Sequence, residues 1–179
     1  DPLAPDLATP GPKAGTLAIA SNDADEASYG LNLSGFVEDV LIVDQALPTF
    51  YTLGHGATYG ATAGYKNVSG GYRGLSQYTT LSASNTATFT LNSLPAGNYQ
   101  VSATWAAKTA WATNSPFHVN SGAVVVTRNQ QVAPASVLNE TKNGLPASGE
   151  HLGIVTVAPG GSITVAVGGV LANKYVTAD

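Results

Sequence analysis

The three histidines are the first side chains to consider for acid, base or metal chemistry, because imidazole titrates near neutral pH and binds transition metals. His55, His118 and His151 are isolated from one another and match none of the short spacings of a zinc motif. The sequence contains no G-x-S-x-G nucleophile elbow and no cysteine. These features predict a protein that is not an enzyme and has no resident cofactor.

Acidic residues are concentrated in the segment NDADE (22–26). Carboxylate oxygens are the ligands that Ca²⁺ prefers, so Asp23, Asp25 and Glu26 are weak candidates for a calcium site. The segment lacks the spacing of an EF-hand loop, and a solvated turn explains the same residues. We expect the turn, and Ca²⁺ is the one cofactor that the sequence leaves open.

Aromatic residues in polar segments are candidates for sugar binding. A neutral sugar needs a flat aromatic ring at the surface, beside polar side chains that hydrogen-bond its hydroxyl groups. Trp111, in AAKTAWATNSP (106–116), is the best candidate for that ring, with Asn114 close to it in sequence. Tyr65 and Tyr72 are further candidates in the Gly-rich segment 56–74. The alternative is that these rings fix a loop or contact another subunit.

The composition narrows the choice of partners. Charged residues make up 10% of the 179 residues, against about 25% in an average soluble domain, and the formal net charge is −4. An acidic chain with few charges is unsuited to nucleic acid. A neutral surface favours contact with copies of itself or with neutral polysaccharide. No run of 18 apolar residues occurs, so we expect no insertion into a membrane.

The elements that must position these residues are short strands. Apolar and polar residues alternate in several segments, and Pro and Gly occur in the turns between them. The clearest strands are 86–94, 98–106, 123–130, 151–158 and 162–169. Their spacing predicts an all-β protein, an antiparallel β-sandwich of the jelly-roll type. Within 98–106, Trp105 shares a face with Tyr99 and Val101, which places Trp105 in the core.

Three other segments complete the predicted sandwich. VLIVDQ (40–45) is a further strand, in which Asp44 is expected to anchor a neighbouring turn rather than to take part in a reaction. Residues 56–74, which are rich in Gly, and residues 129–150, which contain several Asn and two Pro, are expected to form long irregular loops.

The N-terminal part is predicted to be separate from the sandwich. Residues 1–14 contain four prolines, which disfavour helices and regular strand pairing, so we expect an extended arm. Residues 15–37 contain two alternating segments around a polar turn and predict a β-hairpin. The sandwich then occupies residues 38–179.

The hairpin and the arm are candidates for assembly. A two-stranded hairpin is marginal in water and must bury its apolar face on some other surface. That surface belongs either to the same chain or to a neighbouring copy. The candidate assembly residues are Leu3, Leu7, Leu17, Ile19, Tyr29, Leu31 and Leu33.

Several motifs occur in order along the second part of the chain. They are VLIVDQ (40–45), YRG (72–74), LPAGNYQVSATW (94–105), ATNSPFHV (112–119), NQQ (129–131), LG (152–153) and VTAD (176–179). Together they resemble the golvesin-like domain, which occurs at the C-terminus of xanthan lyases and of other secreted proteins. The resemblance covers about residues 40–179 and implies a β-sandwich of the carbohydrate-binding type.

The segment GTLAIASNDADEASYGLNLSGF (15–36) is similar to the last two strands of the immunoglobulin-like repeats of large bacterial surface proteins, of the choice-of-anchor D type. With the absence of Met and the abrupt ending NKYVTAD (173–179), this resemblance suggests a segment of a longer extracellular or cell-surface protein. Asn32, Asn67 and Asn139 stand in N-x-S/T triplets, which are acceptors only in a suitable secretory host.

Two functions therefore follow from the sequence. The first is a structural surface or filament subunit, joined to its copies through the arm, the hairpin and the addition of strands to a neighbouring sheet. The second is a carbohydrate-binding module of a secreted enzyme or adhesin, with Trp111 at the centre of its site. We favour the first, because it also explains the hairpin and the arm.

Overall fold

The computed structural model describes residues 11–20, 22, 28–37, 40–46, 52, 54–79, 84–135, 140–142, 145–147, 149–168 and 175–179. Five of the predicted site residues lie outside these ranges, namely Leu3, Leu7, Asp23, Asp25 and Glu26. The chain divides into two compact units, Asp1–Leu41 and Ile42–Asp179.

The first unit contains the predicted β-hairpin. Strand β1 (Gly11–Ala20) pairs antiparallel with β2 (Ser28–Val37), in a continuous register from Gly11 opposite Val37 to Ala20 opposite Ser28. The first strand is longer than expected, since residues 11–14 were assigned to the arm. Pro12 is tolerated there because each strand of a two-stranded hairpin has one edge that needs no hydrogen-bond donor.

The second unit consists of twelve short strands in the described residues, with two 3₁₀ turns at Tyr72–Gly74 and Asn120–Gly122. The strands are β3 (Ala57–Ala61), β4 (Tyr65–Ser69), β5 (Leu75–Thr79), β6 (Thr86–Leu94), β7 (Gly97–Ala103), β8 (Ser115–Val119), β9 (Val124–Arg128), β10 (Glu140–Lys142), β11 (Leu145–Ala147), β12 (Glu150–Val157), β13 (Gly161–Gly168) and β14 (Val176–Ala178). Every pair of these strands is antiparallel. The predicted all-β antiparallel class is confirmed.

The strands form several sheets. The largest has the order β3-β6-β13-β8-β9, and a three-stranded sheet has the order β14-β5-β4. Strands β7 and β12 form a two-stranded sheet, and so do β10 and β11. No helix in the described part of the chain is long and apolar enough to cross a membrane.

Three expectations about local structure are wrong. Residues 40–46 form no strand, and only Ile42 makes an isolated bridge. Residues 56–74 contain β3 and β4, and residues 129–150 contain the short pair β10 and β11. One reason explains both the missing strand and the additional strands. Whether a segment forms a strand depends on pairing and packing with its neighbours more than on local residue preference.

The core follows the alternation of the strands. In the five-stranded sheet the buried side chains include Ala87, Phe117, Val119, Ile163 and Val167. Trp105 is 2% exposed, its ring lies 5.9 Å from that of Phe117, and its Nε1–H donates to the carbonyl of Val132 over 2.8 Å. The assignment of Trp105 to the core is confirmed.

One fully buried amide joins two of the sheets. The Oε1 of Gln130 accepts hydrogen bonds from the Ser115 hydroxyl at 2.7 Å and from the Thr177 N–H at 3.0 Å. Its Nε2 donates to the Thr177 carbonyl at 2.8 Å. Ser115 is the first residue of β8 and Thr177 belongs to the edge strand β14, so a single side chain satisfies polar groups of both sheets.

We predict that Gln130→Ala lowers the free energy of unfolding by about 3 kcal/mol or more, because it leaves buried donors and acceptors without partners. Urea unfolding measures this loss. Gln100→Ala, at an exposed position of β7, is the control and should change the stability by less than about 0.5 kcal/mol. An equally small effect of Gln130→Ala would show that the amide does not join the sheets.

Candidate functional site

The register of the hairpin brings the described assembly candidates together. Leu17 lies opposite Leu31, Ile19 lies opposite Tyr29, and Leu33 lies opposite Gly15. Residues directly opposite in a strand pair, and residues two apart along a strand, lie on one face. The five apolar side chains therefore share one face of the hairpin, which we call the apolar hairpin face.

Most of the apolar hairpin face is exposed. Tyr29 is 66% exposed, Ile19 is 51%, Leu33 is 49% and Leu31 is 42%, while Leu17 is half-buried. Single exposed apolar residues are common on soluble proteins, but a contiguous group of this kind is typical of an interaction surface.

The opposite face of the hairpin has a different chemistry. Behind the apolar hairpin face it presents small and polar residues, which are Thr16, Ala18, Gly30, Asn32 and Ser34. The Thr16 hydroxyl donates to the Asn32 side-chain oxygen across the strands at 3.1 Å. The hairpin is thus amphipathic, with one face suited to water and one suited to burial.

The prediction that Trp111 forms an exposed sugar platform is wrong, because its side chain is 3% exposed. Its Nε1–H donates to the Ala106 carbonyl at 2.6 Å, and its ring packs 5.2 Å from Tyr78 and 5.9 Å from Tyr175. The backbone N–H of Trp111 bonds to the Lys108 carbonyl at 3.0 Å, in a turn that directs the indole inward. The polar residues around Trp111 in sequence are exposed, whereas the ring is not.

The other sugar-binding candidates form no common aromatic surface with Trp111 in the described residues. Tyr72 is 6% exposed and belongs to the core. Tyr65 is half-buried in β4, donates from its hydroxyl to the Val167 carbonyl at 3.2 Å, and has a pKa that is raised by burial. Asn114 is exposed, but the rings of Trp111 and Tyr72 are buried.

The three histidines lie in three different segments of the structure. His55 bonds through Nδ1 to the Ser93 carbonyl at 3.0 Å, while His118 lies in β8 and His151 in β12. Among the residues that the structure describes, no three His, Cys, Asp or Glu side chains are grouped as metal ligands.

Sequence reasoning missed that two carboxyl groups are removed from water, one of them buried and the other partly buried. Asp44 is 2% exposed, and its Oδ1 accepts the Ala46 N–H at 2.7 Å, which confirms that it anchors a turn. Asp179, directly after β14, accepts the backbone N–H of Tyr72 through Oδ2. Gly71 has a φ of +83°, and a Cβ at this position would overlap the Asp179 carboxyl and the Ser76 hydroxyl. Only glycine fits beside the carboxyl group.

The pKa of the Asp179 carboxyl is raised from 3.8 to about 8. The largest cause is burial, which disfavours the charged form, and the negative charge of Asp44 adds to it. The hydrogen bond from the Tyr72 N–H acts in the opposite direction. Both aspartates lie in motifs that the sequence analysis singled out, but no spacing pattern indicates that the charge of one acts on the other.

Comparisons with known proteins give one similar structure. No protein-family profile and no curated protein matches the chain. Among solved structures, the chain is similar to Paenibacillus xanthan lyase, with 19% identity and a TM-score of 0.48. The similarity covers 95% of this chain and 19% of the xanthan lyase chain, so this chain spans about a fifth of that protein's length.

We predict that Trp111→Ala lowers the free energy of unfolding by about 3–5 kcal/mol, because it removes a large buried ring. Chemical denaturation gives the loss, and Asn114→Ala at a nearby exposed position serves as the control. A Trp111→Ala protein as stable as the wild type would contradict the burial of this ring.

We predict that the Asp179 carboxyl makes the protein less stable as the pH rises from about 4 to about 8. In this window the folded state keeps a proton that the unfolded state has released, because the folded pKa is the higher of the two. One such group changes the stability by at most about 1.4 kcal/mol per pH unit.

Urea unfolding of the wild type and of Asp179→Asn at pH 5 and pH 8 tests this prediction. The amide can still accept the Tyr72 N–H but does not titrate, so the variant should lose less stability between the two pH values. Equal losses in both proteins would show that Asp179 does not keep its proton in the folded state.

Proposed function

We propose that this chain is a non-catalytic, extracellular structural module that associates with copies of itself through the apolar hairpin face. The observation that supports this function is the exposure of four large apolar side chains on one face of a two-stranded hairpin. Such a hairpin is marginally stable when it is alone in water. Covering this face stabilises the hairpin and removes apolar surface from water at the same time.

A second copy suits this face by its chemistry and shape. From Gly15 to Ile19 and from Tyr29 to Leu33, the residues of the apolar hairpin face are uncharged, so a partner surface rich in charges would lose its hydration there without gaining an ion pair. The same face on another copy is apolar, has the same length, and can stack on it at a spacing of about 10 Å. This arrangement is a symmetric contact in which each copy contributes the same residues.

The size of the face sets the strength expected of the contact. A ten-residue strand is about 33 Å long and two strands are about 10 Å wide, so two stacked faces bury on the order of 600 Å². A stable specific interface buries about 1,200 Å² or more. We therefore expect a weak association that depends on concentration, and the strand edges of the hairpin offer additional hydrogen bonding to a neighbouring sheet.

The binding of neutral polysaccharide is the competing function. The sequence supports this function mainly through Trp111, which is expected at the surface. In the structure the indole is buried. The absence of a catalytic role is likewise part of the proposal, and it is supported by the sequence, which contains no motif of a catalytic or metal site.

We predict that Ile19→Lys weakens self-association, because it places a charge in the centre of the apolar hairpin face. Ala18→Lys is the matched control, since it adds the same charge to the same strand on the opposite face. Sedimentation equilibrium across a wide range of concentrations should show oligomers for the wild type and for Ala18→Lys, and a shift towards the monomer for Ile19→Lys.

A wild type that stays at the monomer mass of 18.1 kDa at every concentration would overturn the proposal. Equal association of the two lysine variants would exclude the apolar hairpin face as the contact. A glycan array completes the test, since strong binding of a neutral polysaccharide by a monomeric wild type would favour the competing function.

A further inference from the structure

The outer strands of the two larger sheets in the second unit differ in how well their free edges are protected. The five-stranded sheet ends at β3 and β9, and the three-stranded sheet ends at β14 and β4. An edge strand presents N–H and carbonyl groups that can pair with another chain, so proteins usually cover such an edge or place a charged residue on it. Three of these four strands are protected in this way.

Strands β14 and β4 show the two kinds of protection. The Gln130 amide bonds both the N–H and the carbonyl of Thr177, and the Tyr175 carbonyl accepts the Ala112 N–H at 2.8 Å. The edge of β14 is therefore covered by its own chain. Strand β4 carries the exposed Lys66, and a lysine on an edge strand opposes pairing with another strand.

Strand β9 is contacted by β12 near both of its ends. The Arg128 side chain pairs with the Glu150 carboxylate at 2.8 Å and donates to the His151 carbonyl. Near the other end of β9, a Cβ at Gly153 would lie 3.1 Å from Cγ1 of Val124. A further strand would have to compete with these contacts.

Strand β3 has no such protection among the described residues. Its sequence ATYGA (57–61) contains no charged residue and no proline, and its register with β6 continues without a bulge. On the side of β6, the Asn92 N–H bonds the Gly56 carbonyl at 2.7 Å, and the Thr62 N–H bonds the Thr86 carbonyl at 3.0 Å. These two bonds fix the direction of every backbone group in between.

The alternation of the backbone identifies the free groups of β3. Because Gly56 and Thr62 bond to β6, the N–H and carbonyl groups of Tyr59 and Ala61 point away from β6. Within the described part of the chain, no hydrogen bond reaches these groups. Gly60 and Ala61 are exposed, so this side of the strand is accessible. We call it the β3 edge.

We propose that the β3 edge accepts strand β2 of a second copy of this chain, an inference that rests on the proposed function. Strand β2 belongs to a two-stranded sheet and has a free edge of its own. It contains no charged residue and no proline, whereas β1 contains Pro12 and Lys13. Two uncharged strands can pair without removing a charge from water, and their backbone hydrogen bonds supply the affinity.

The side-chain patterns of β2 and β3 agree with this pairing. The Tyr59 ring lies 4.8 Å from Phe89, and its hydroxyl donates to Gln77 of β5 at 2.6 Å, so Tyr59 faces the three-stranded sheet. A register with Leu31 on the same face as Tyr59 continues both the apolar and the polar face of the sheet, and a shift by one residue reverses this match. The contact is head-to-tail, so it can continue from copy to copy.

Disulfide trapping in the 179-residue chain tests this contact, because the chain contains no native cysteine. Thr58→Cys on β3 is mixed with Asn32→Cys on β2, since both positions are exposed and lie on the polar faces that the pairing joins. Gly30→Cys and Ser34→Cys cover the neighbouring registers. We expect mixed disulfide dimers to form at least about tenfold faster than with Thr127→Cys, the control on the same face of the sheet at β9.

A proline variant measures the contribution of the backbone. Ala61→Pro removes an N–H that points away from β6, so the variant should keep its fold and weaken self-association about fivefold or more. Sedimentation equilibrium measures the association, and urea unfolding checks the fold. If Ala61→Pro fails to fold, the trapping experiment decides, since it leaves the β3 backbone unchanged.

Equal trapping by Thr58→Cys and Thr127→Cys would overturn the proposed contact. A disulfide within single chains that carry both Thr58→Cys and Asn32→Cys would also overturn it, because the edge would then be filled by the chain's own hairpin. If Ile19→Lys weakens association while the β3 edge traps nothing, the proposed function stands and only this contact fails. A failure of the proposed function appears instead as a wild type that stays monomeric.

Discussion

The hydrogen bonds of the Gln130 amide are the constraint on which the arrangement of the second unit depends. The amide satisfies both the N–H and the carbonyl of Thr177 and also accepts the Ser115 hydroxyl, all without contact with water. Such a buried group stabilises only the arrangement that satisfies all of its atoms, because any shift leaves a polar group unpaired. Sliding β14 by one residue would exchange its faces and break this pattern.

The fixed position of β14 explains the burial of its neighbours on both sides. Before the strand, Tyr175 forms an isolated bridge with Trp111, and the two rings pack edge to face. After the strand, Asp179 reaches the N–H of Tyr72. The indole and the carboxyl group are therefore enclosed as consequences of one strand position. The same constraint that forms the core also produces an enclosed acidic group, whose charge must be compensated by a proton or a cation.

Features that depend on local alternation could be predicted from the sequence, and features that depend on distant contacts could not. The hairpin and strands such as β6 and β13 follow from period-two patterns, which directly report which face is buried. The burial of Trp111 depends on Tyr78 and Tyr175, and the surroundings of the Asp179 carboxyl depend on Gly71, Tyr72 and Ser76. Neither partner set has a sequence spacing that identifies it. The polar neighbours of Trp111 therefore predicted the wrong environment for its ring.

The two units differ in how they obtain their stability. The second unit buries large apolar side chains such as Trp105, Leu94 and Val119. The hairpin has only two strands and leaves most of one apolar face exposed. Any partner that binds the folded hairpin, and not the unfolded segment, stabilises it by mass action. The proposed self-association would therefore couple the folding of this unit to binding, and a chain with few charges opposes the approach of a second copy only weakly.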